Sequence, residues 1–466
     1  ASAMGGCLSC RDGYSPPFHH VHCPFMSALM THFTPSDEVG SAEFGQAAER
    51  LFHVLERHPC DESKTYLQKA RIGLSAQPIP SSKAELLLDY ALSCMWLGKN
   101  SERAMRAWDE VGKFSSDDAV GWMKLPFAWA KGVIEDGFKP AYRPLPASAD
   151  VHTYAVYDLP SGEAGDLRIV LLSDWGTGSD QALALVAKLV QRARPHLCVH
   201  LGDVYYSGTP WEQEHYFTKV MRQAVPEEVP IFNIPGNHDY YSGGQGFFEQ
   251  LPKLNGVQQS SFFCLRGAAW QIVFLDTGIN DSNPIDTALN ASATYLDHGQ
   301  ARWAKVMIED GKQKNLKTIM MSHHQLFSRR EHIGKTSEGV NPHLYATFKE
   351  LLPDIHAWFW GHEHALSIFE PFLGLRRGRL IGNGSVPEWS SVDVFAPSPD
   401  IEWSKYGGVP PTVVPGTTYG KSGMLWNTCG VTLTLSGSSA KVDYLQMPQL
   451  SLGNYGELAL VHSEMF

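Results

Sequence analysis

No run of 18 or more apolar residues occurs in the 466-residue chain, which excludes a membrane-spanning helix. A charged segment followed by an apolar stretch and a cleavage site is also missing near the N-terminus. Residues 1–6 read partly like an expression scar, so a native signal is still compatible with this terminus. Basic residues are in deficit: 38 Lys and Arg face 49 Asp and Glu, leaving a net charge of −11. Nucleic acids and anionic membranes attract basic surfaces, so broad binding to either is not expected, although a local positive site remains compatible. Eight cysteines is ordinary usage, and Cys60, Cys94, Cys198, Cys264 and Cys429 are scattered. That pattern favours reduced thiols and a cytoplasmic protein. No fixed repeat period emerges, which argues against a solenoid. The 43% hydrophobic and 19% charged content excludes a disordered or collagenous chain.

What is present divides the chain in two. Over about Ser41 to Phe138 the apolar spacing is helical, as in Ala47, Leu51, Phe52 and Leu55, and Ser82 can cap a helix carrying Leu86, Leu87, Tyr90, Ala91 and Cys94. Residues 1–150 therefore read as an all-α N-terminal domain. Near its start, Cys7, Cys10, His19, His20, His22 and Cys23 have ligand chemistry suited to a structural zinc, without standard finger spacing.

Residues 151–466 follow another grammar. Short apolar runs recur at Ile169–Leu172, Cys198–Leu201, Ile231–Ile234, Ile272–Leu275, Ile319–Met321 and Ala357–Trp360. Helical patterns over Gln181–Arg194 and His298–Glu309 separate some of them, which predicts an α/β domain rich in parallel strands. Near the C-terminus, Ser436-Gly437-Ser438-Ser439 between two apolar runs predicts a hairpin.

Most of these runs end in metal-binding residue types: Asp174-Trp175-Gly176, Gly202-Asp203-Val204-Tyr205-Tyr206, Gly236-Asn237-His238-Asp239, Ser322-His323-His324 and Gly361-His362-Glu363-His364. In α/β sheets the carboxyl ends of the strands form the ligand crevice, so the five clusters are expected to converge. Asp174, Asp203, Tyr206, Asn237, His323, His362 and His364 supply seven mixed oxygen and nitrogen donors. That is more than one tetrahedral zinc needs and enough for two ions bridged by a carboxylate. The set contains no cysteine, which disfavours a structural zinc or iron–sulfur site here.

These blocks resemble the calcineurin-like metallophosphoesterase superfamily and, within it, the purple acid phosphatases. The superfamily's usual Asp-x-His is here Asp174-x-Gly176, the replacement that purple acid phosphatases make while supplying a tyrosine through Gly-Asp-x-x-Tyr. Gly202-Asp203-Val204-Tyr205-Tyr206 matches that block with Tyr206 at the ligand position. Met320-x-x-His323 and the Asn-His-Asp and His-x-His blocks complete the resemblance, which runs from about Leu167 to Glu388. Two mild departures are Asp239, where many such phosphatases carry Glu, and Met320 in place of Val.

The resemblance implies a two-sheet metallophosphoesterase sandwich flanked by helices. It implies that Asp174, Tyr206 and His364 hold a first ion, Fe(III), and that Asn237, His323 and His362 hold a second, Fe, Zn or Mn, with Asp203 bridging. The charge of such ions would exceed that of Asp174, Asp203 and a Tyr206 phenolate, so a globally acidic protein can present a positive site to a phosphate ester. A metal-activated hydroxide would attack phosphorus, His238 would contact the phosphate, Asp239 would orient His238, and His332 would protonate the leaving alkoxide. The expected activity is hydrolysis of small phosphomonoesters at a binuclear centre. Two alternatives stand beside it: a phosphodiesterase acting on cyclic nucleotides, nucleic acid or phospholipid headgroups, and a helical domain that serves as a protein-docking or regulatory module.

Overall fold

The protein is described by a computed structural model covering Phe114 and residues 139–160, 165–283, 293–334, 337–388, 390, 392–422, 425–451 and 454–466. The expected N-terminal helices and the cluster of Cys7, Cys10 and Cys23 lie outside the described residues.

The strands in chain order are β1 (Val156–Asp158), β2 (Asp166–Leu172), β3 (Leu197–His200), β4 (Ile231–Asn233), β5 (Phe263–Arg266), β6 (Trp270–Phe274), β7 (Lys317–Met321), β8 (Ile355–Trp360), β9 (Leu366–Ile368) and β10 (Gly378–Ile381). They continue as β11 (Lys421–Ser422), β12 (Leu425–Trp426), β13 (Thr428–Ser436), β14 (Ser439–Met447), β15 (Gln449–Ser451), β16 (Asn454–Tyr455) and β17 (Ala459–Met465). All six apolar runs expected to be strands are strands. One sheet has the order β1-β5-β6-β7-β8-β10-β9 and the other the order β17-β14-β13-β2-β3-β4. The fold is thus mixed α/β with two sheets. β6, β7, β8 and β10 run parallel in the first sheet, as do β2, β3 and β4 in the second.

Alternation along β2 explains the layering. Ile169 and Leu171 join a core shared with Ile272, Phe274, Ile319, Met321 and Phe359 of the other sheet. Val170 and Leu172 face the opposite way, onto Leu185, Val186 and Leu189 of helix α1 (Asp180–Ala193). The period-two pattern therefore gives β2 two buried faces, one on a sheet and one on a helix. α1 begins where the Ser179 side chain accepts from Ala182 N at 3.2 Å and ends with Arg194 in the left-handed region. The later helices include α2 (Lys219–Ala224), α3 (Asn237–Tyr240), α4 (Gln245–Leu254), α5 (His298–Gln313) and α6 (Pro342–Phe348). The expected hairpin is present: Ser436 pairs with Ser439 across a two-residue turn in which Gly437 takes φ 54°.

The stretch before β1 already belongs to this fold. Ala141 N donates to Gly243 O at 2.8 Å, and Trp303 Nε1 on α5 donates to Tyr154 O at 2.9 Å. Among the described residues, no helix is long and apolar enough to cross a membrane.

Candidate metal centre

The chain leaves β2, β3, β4, β7 and β8 at one end of the two sheets, and each exit delivers polar side chains. Asp174, Asp203 and His362 follow β2, β3 and β8 with φ of 52°, 74° and 70°. Left-handed backbone at three non-glycine residues costs free energy, roughly 1–3 kcal/mol each, and is found mostly where surrounding structure holds a functional residue in place. Two glycines make room. A Cβ at Gly236 would collide with Asp203 Oδ1, and one at Gly361 would collide with Asp174 Oδ2 and Ser173 Oγ.

The second oxygen of Asp174 accepts from Ser173 Oγ at 2.6 Å and from the His362 backbone N–H at 3.0 Å. The sites after β2 and β8 are thereby tied together. Its first oxygen lies 3.0 Å from the Tyr205 hydroxyl, which is also 3.3 Å from Asp203 Oδ2 and 3.0 Å from His364 Nε2. A second group forms around Asn237, whose Oδ1 lies 3.1 Å from both His323 Nε2 and His362 Nδ1. Asn237 is itself fixed by donating Nδ2–H to Tyr241 Oη at 2.6 Å. His323 Nε2 stands 3.3 Å from Asp203 Oδ2. The Nδ1–H of His323 donates to the Leu201 carbonyl at 2.9 Å, which leaves Nε2 directed into the site.

Burial pushes the Asp174 carboxyl up to about 7. Burial also opposes ionisation of Asp203, yet His323 and His238 hold that carboxyl well below the usual range. His323 is lowered by burial but carried up to about 9 by Asp203 and Asp174. His362 and His364 are pushed down to about 3 by burial, so both imidazoles are neutral, the form that binds metal. Burial and the adjacent Asp174 raise the Tyr205 phenol well above its ordinary value.

Six of the seven expected ligands thus converge: Asp174, Asp203, Asn237, His323, His362 and His364. Tyr206 does not. Its hydroxyl accepts the Phe114 backbone N–H at 3.2 Å and its ring stacks on Phe114 with centroids 4.7 Å apart. Tyr205 occupies the position expected for Tyr206, because neighbouring side chains on this turn point to opposite sides. Asp239 also departs from its expected part. As the third residue of the turn that starts α3, it folds its carboxylate back onto Gly236 N at 2.7 Å and Asp203 N at 2.9 Å, and it accepts from the Gln213 amide. It therefore steadies the backbone of Asp203 rather than the His238 ring. His238 is held instead by Nδ1–H donation to the Tyr206 carbonyl at 2.7 Å, with Nε2 3.8 Å from Asp203. His332 lines a cleft beside His362, together with His324, Asp281 and Glu331.

Residues 167–366 match the family model described as calcineurin-like phosphoesterase. The chain carries a calcineurin-like phosphoesterase domain. A domain of this type is a metallophosphoesterase, a metal-dependent enzyme of phosphoester hydrolysis. Solved structures similar to it include PhoD, at 10% identity and TM-score 0.40 over 66% of this chain and 70% of that one. GAP50, the anchor in the inner membrane complex of Plasmodium, shows 12% identity and TM-score 0.38 over 63% and 89%. Vacuolar protein sorting 29 from Cryptosporidium parvum shows 11% and 0.29 over 65% and 98%. No curated protein matches the chain in sequence.

The donor set of this metallophosphoesterase domain fits hard and borderline ions. The buried carboxylate and imidazole atoms of Asp174, Asp203 and His323 lie within 4.8 Å of one another, as do those of His323, His324 and His362. Several supporting residues surround these donors. His324 is engaged at both ring nitrogens, by Thr277 Oγ1 at 3.0 Å and Asp281 Oδ2 at 3.1 Å, so it reads as a wall of the site. Glu212 grips the loop after β3 through Tyr206 N at 2.7 Å and Thr209 N at 3.0 Å. The spacing Thr209-x-x-Glu212 is a capping signal that was legible. The Tyr241 support of Asn237 had no sequence signal.

Proposed function

We propose that this chain hydrolyses small phosphomonoesters at a paired metal centre of the purple acid phosphatase type. The position of Asp203 Oδ2 carries the reading. It lies 3.3 Å from Tyr205 Oη and 3.3 Å from His323 Nε2, between the donors Asp174, Tyr205 and His364 on one side and Asn237, His323 and His362 on the other. A carboxylate shared by two donor groups suits two ions a few ångströms apart, the arrangement used for in-line displacement at phosphorus. When bound, such ions supply a water-derived nucleophile at neutral pH and offset the phosphate charge.

The protein's own residues do the rest. Asp174, Tyr205 and His364 would hold the first ion, Fe(III), while Asn237, His323 and His362 would hold the second, Fe, Zn or Mn. The Tyr206 carbonyl takes the Nδ1–H of His238 and orients the ring, so that an Nε2–H of the imidazolium would face inward, donate to a phosphate oxygen and stabilise the charge developing there. His332, on the cleft beside His362, would give its proton to the departing alkoxide. Asp239 keeps Asp203 in place through its backbone N–H.

Metal content, the visible spectrum, and rates on p-nitrophenyl phosphate and bis(p-nitrophenyl) phosphate test this directly. The expected result is two ions per chain including iron, faster turnover of the monoester, and a tyrosinate absorption band lost in Tyr205→Phe but kept in Tyr206→Phe. Faster turnover of the diester would transfer the protein to the phosphodiesterases. Failure to take up paired ions after reconstitution would overturn the centre itself.

A further inference from the structure

Two adjacent tyrosines, Tyr205 and Tyr206, are both buried beside the candidate metal centre, and only one can face it. We infer that Phe114, a residue remote in sequence, selects Tyr205 for the metal-facing position by clamping Tyr206 on the other side. The inference rests on the proposed reading of Tyr205 as a donor to the first ion.

Phe114 is 3% exposed and packs with Tyr205, Tyr206, Tyr216 and Val386. Its ring lies nearly parallel to that of Tyr206, at 4.7 Å and 25°, and meets Tyr205 edge-on at 6.3 Å and Tyr216 edge-on at 5.8 Å. Its backbone N–H donates to the Tyr206 hydroxyl at 3.2 Å. A buried phenol needs a polar partner, and this bond supplies one on the side away from the carboxylates. Phe114 makes it with φ at 63°, a conformation bulky residues take only where their surroundings hold them. The effect reaches further, because Tyr206 anchors the site through its backbone. Its N–H is bound by Glu212 Oε1 at 2.7 Å and its carbonyl takes the His238 Nδ1–H at 2.7 Å. Phe114 is thus a positioning residue that acts through Tyr206 on both Tyr205 and His238.

The test uses the full chain labelled with 3-fluorotyrosine, with the Tyr205 and Tyr206 resonances assigned from Tyr205→Phe and Tyr206→Phe. Metal-free protein is titrated with zinc and followed by fluorine NMR and calorimetry. In the wild type the Tyr205 resonance should move on zinc addition while that of Tyr206 stays. In Phe114→Ala the Tyr206 resonance should become zinc-responsive and zinc affinity should fall by about tenfold or more, as for loss of other supports of metal ligands. Phe114→Leu keeps the apolar fill without the ring stack, and it carries the same expectation should the alanine variant lose its folded circular dichroism spectrum. An unchanged Tyr205 response and unchanged affinity in a folded variant would overturn the role of Phe114. A Tyr205 resonance unmoved by zinc in the wild type, with zinc still bound, would overturn the placement of Tyr205 and the inference with it. That outcome is visible before any Phe114 variant is made.

Discussion

At the scale of single residues, the site depends on where hydrogen-bond donors point. His238 belongs to neither proposed group of metal donors, and its ring is oriented by a backbone carbonyl. His238→Ala is therefore expected to leave zinc stoichiometry unchanged while lowering kcat/KM roughly 10²–10³-fold, the usual cost of losing one group that stabilises developing charge. Steady-state kinetics alongside metal analysis checks both halves. Gly361 behaves oppositely. Its place against Asp174 Oδ2 and Ser173 Oγ leaves no room for a methyl group, so Gly361→Ala should displace Asp174 and cost about 1–3 kcal/mol of stability. Thermal melting should show that loss and calorimetry should show weaker zinc binding. The choice between Tyr205 and Tyr206 was not legible at this scale. Motif spacing marks Tyr206, but spacing counts residues along the chain and does not report which way each side chain leaves a turn.

Among the elements, the two sheets are joined near β10 and β17 by a partly buried ion pair. Arg379 donates Nε–H and an Nη2–H to Glu464 at 2.7 and 2.6 Å, and the Tyr444 hydroxyl of β14 donates to Glu464 at 2.7 Å. Burial works against ionising Glu464, but bonds from Arg379 and Tyr444 hold its carboxyl below its ordinary value of 4.5. A carboxyl lowered in the folded state stabilises the fold above the unfolded value and loses that contribution as pH falls through the folded one. Glu464→Gln should thus cost roughly 2–4 kcal/mol at neutral pH, because it leaves Arg379 without its charged partner. The gap to wild type should close as pH drops below 4.5. Urea melts of both proteins across that range measure it. Elements were the most legible level of this protein. Runs of three or four mostly apolar residues marked β2, β3, β4, β6, β7 and β8, and helical spacing marked α1 and α5, because burial of a strand or helix face imposes its period on the sequence.

Across the whole molecule, the catalytic fold reaches back before its first long strand. β1 pairs in parallel with β5, Tyr154 accepts from Trp303 Nε1, and Ala141 N bonds to Gly243 O in the loop that leads into α4. A fragment starting at Leu167 lacks all three supports. It is expected to melt at least about 5 °C below a fragment starting at Lys139, since each lost kilocalorie per mole moves the midpoint by a few degrees. Differential scanning calorimetry of the two fragments decides the point; equal midpoints would make residues 139–166 dispensable. The sequence places a boundary at residue 150 because the polar, proline-bearing stretch after Lys139 reads as a linker. Its packing rests on a few bonds to distant residues that leave no periodic trace.

The sequence by itself determined the alternation of strands and helices, the five polar clusters at strand ends, and six of the seven side chains expected to meet there. Local spacing and the chemistry of the residue types are enough for that, since any parallel strand in such a layered domain brings its carboxyl end to the same rim. Tertiary structure alone decided which tyrosine faces the carboxylates, that Asp239 grips the backbone of Asp203 rather than the His238 ring, and that Asn237 leans on Tyr241. Each of these depends on the direction of one side chain, and that direction is set by partners such as Phe114, Gln213 and Tyr241, which only the folded chain brings into contact.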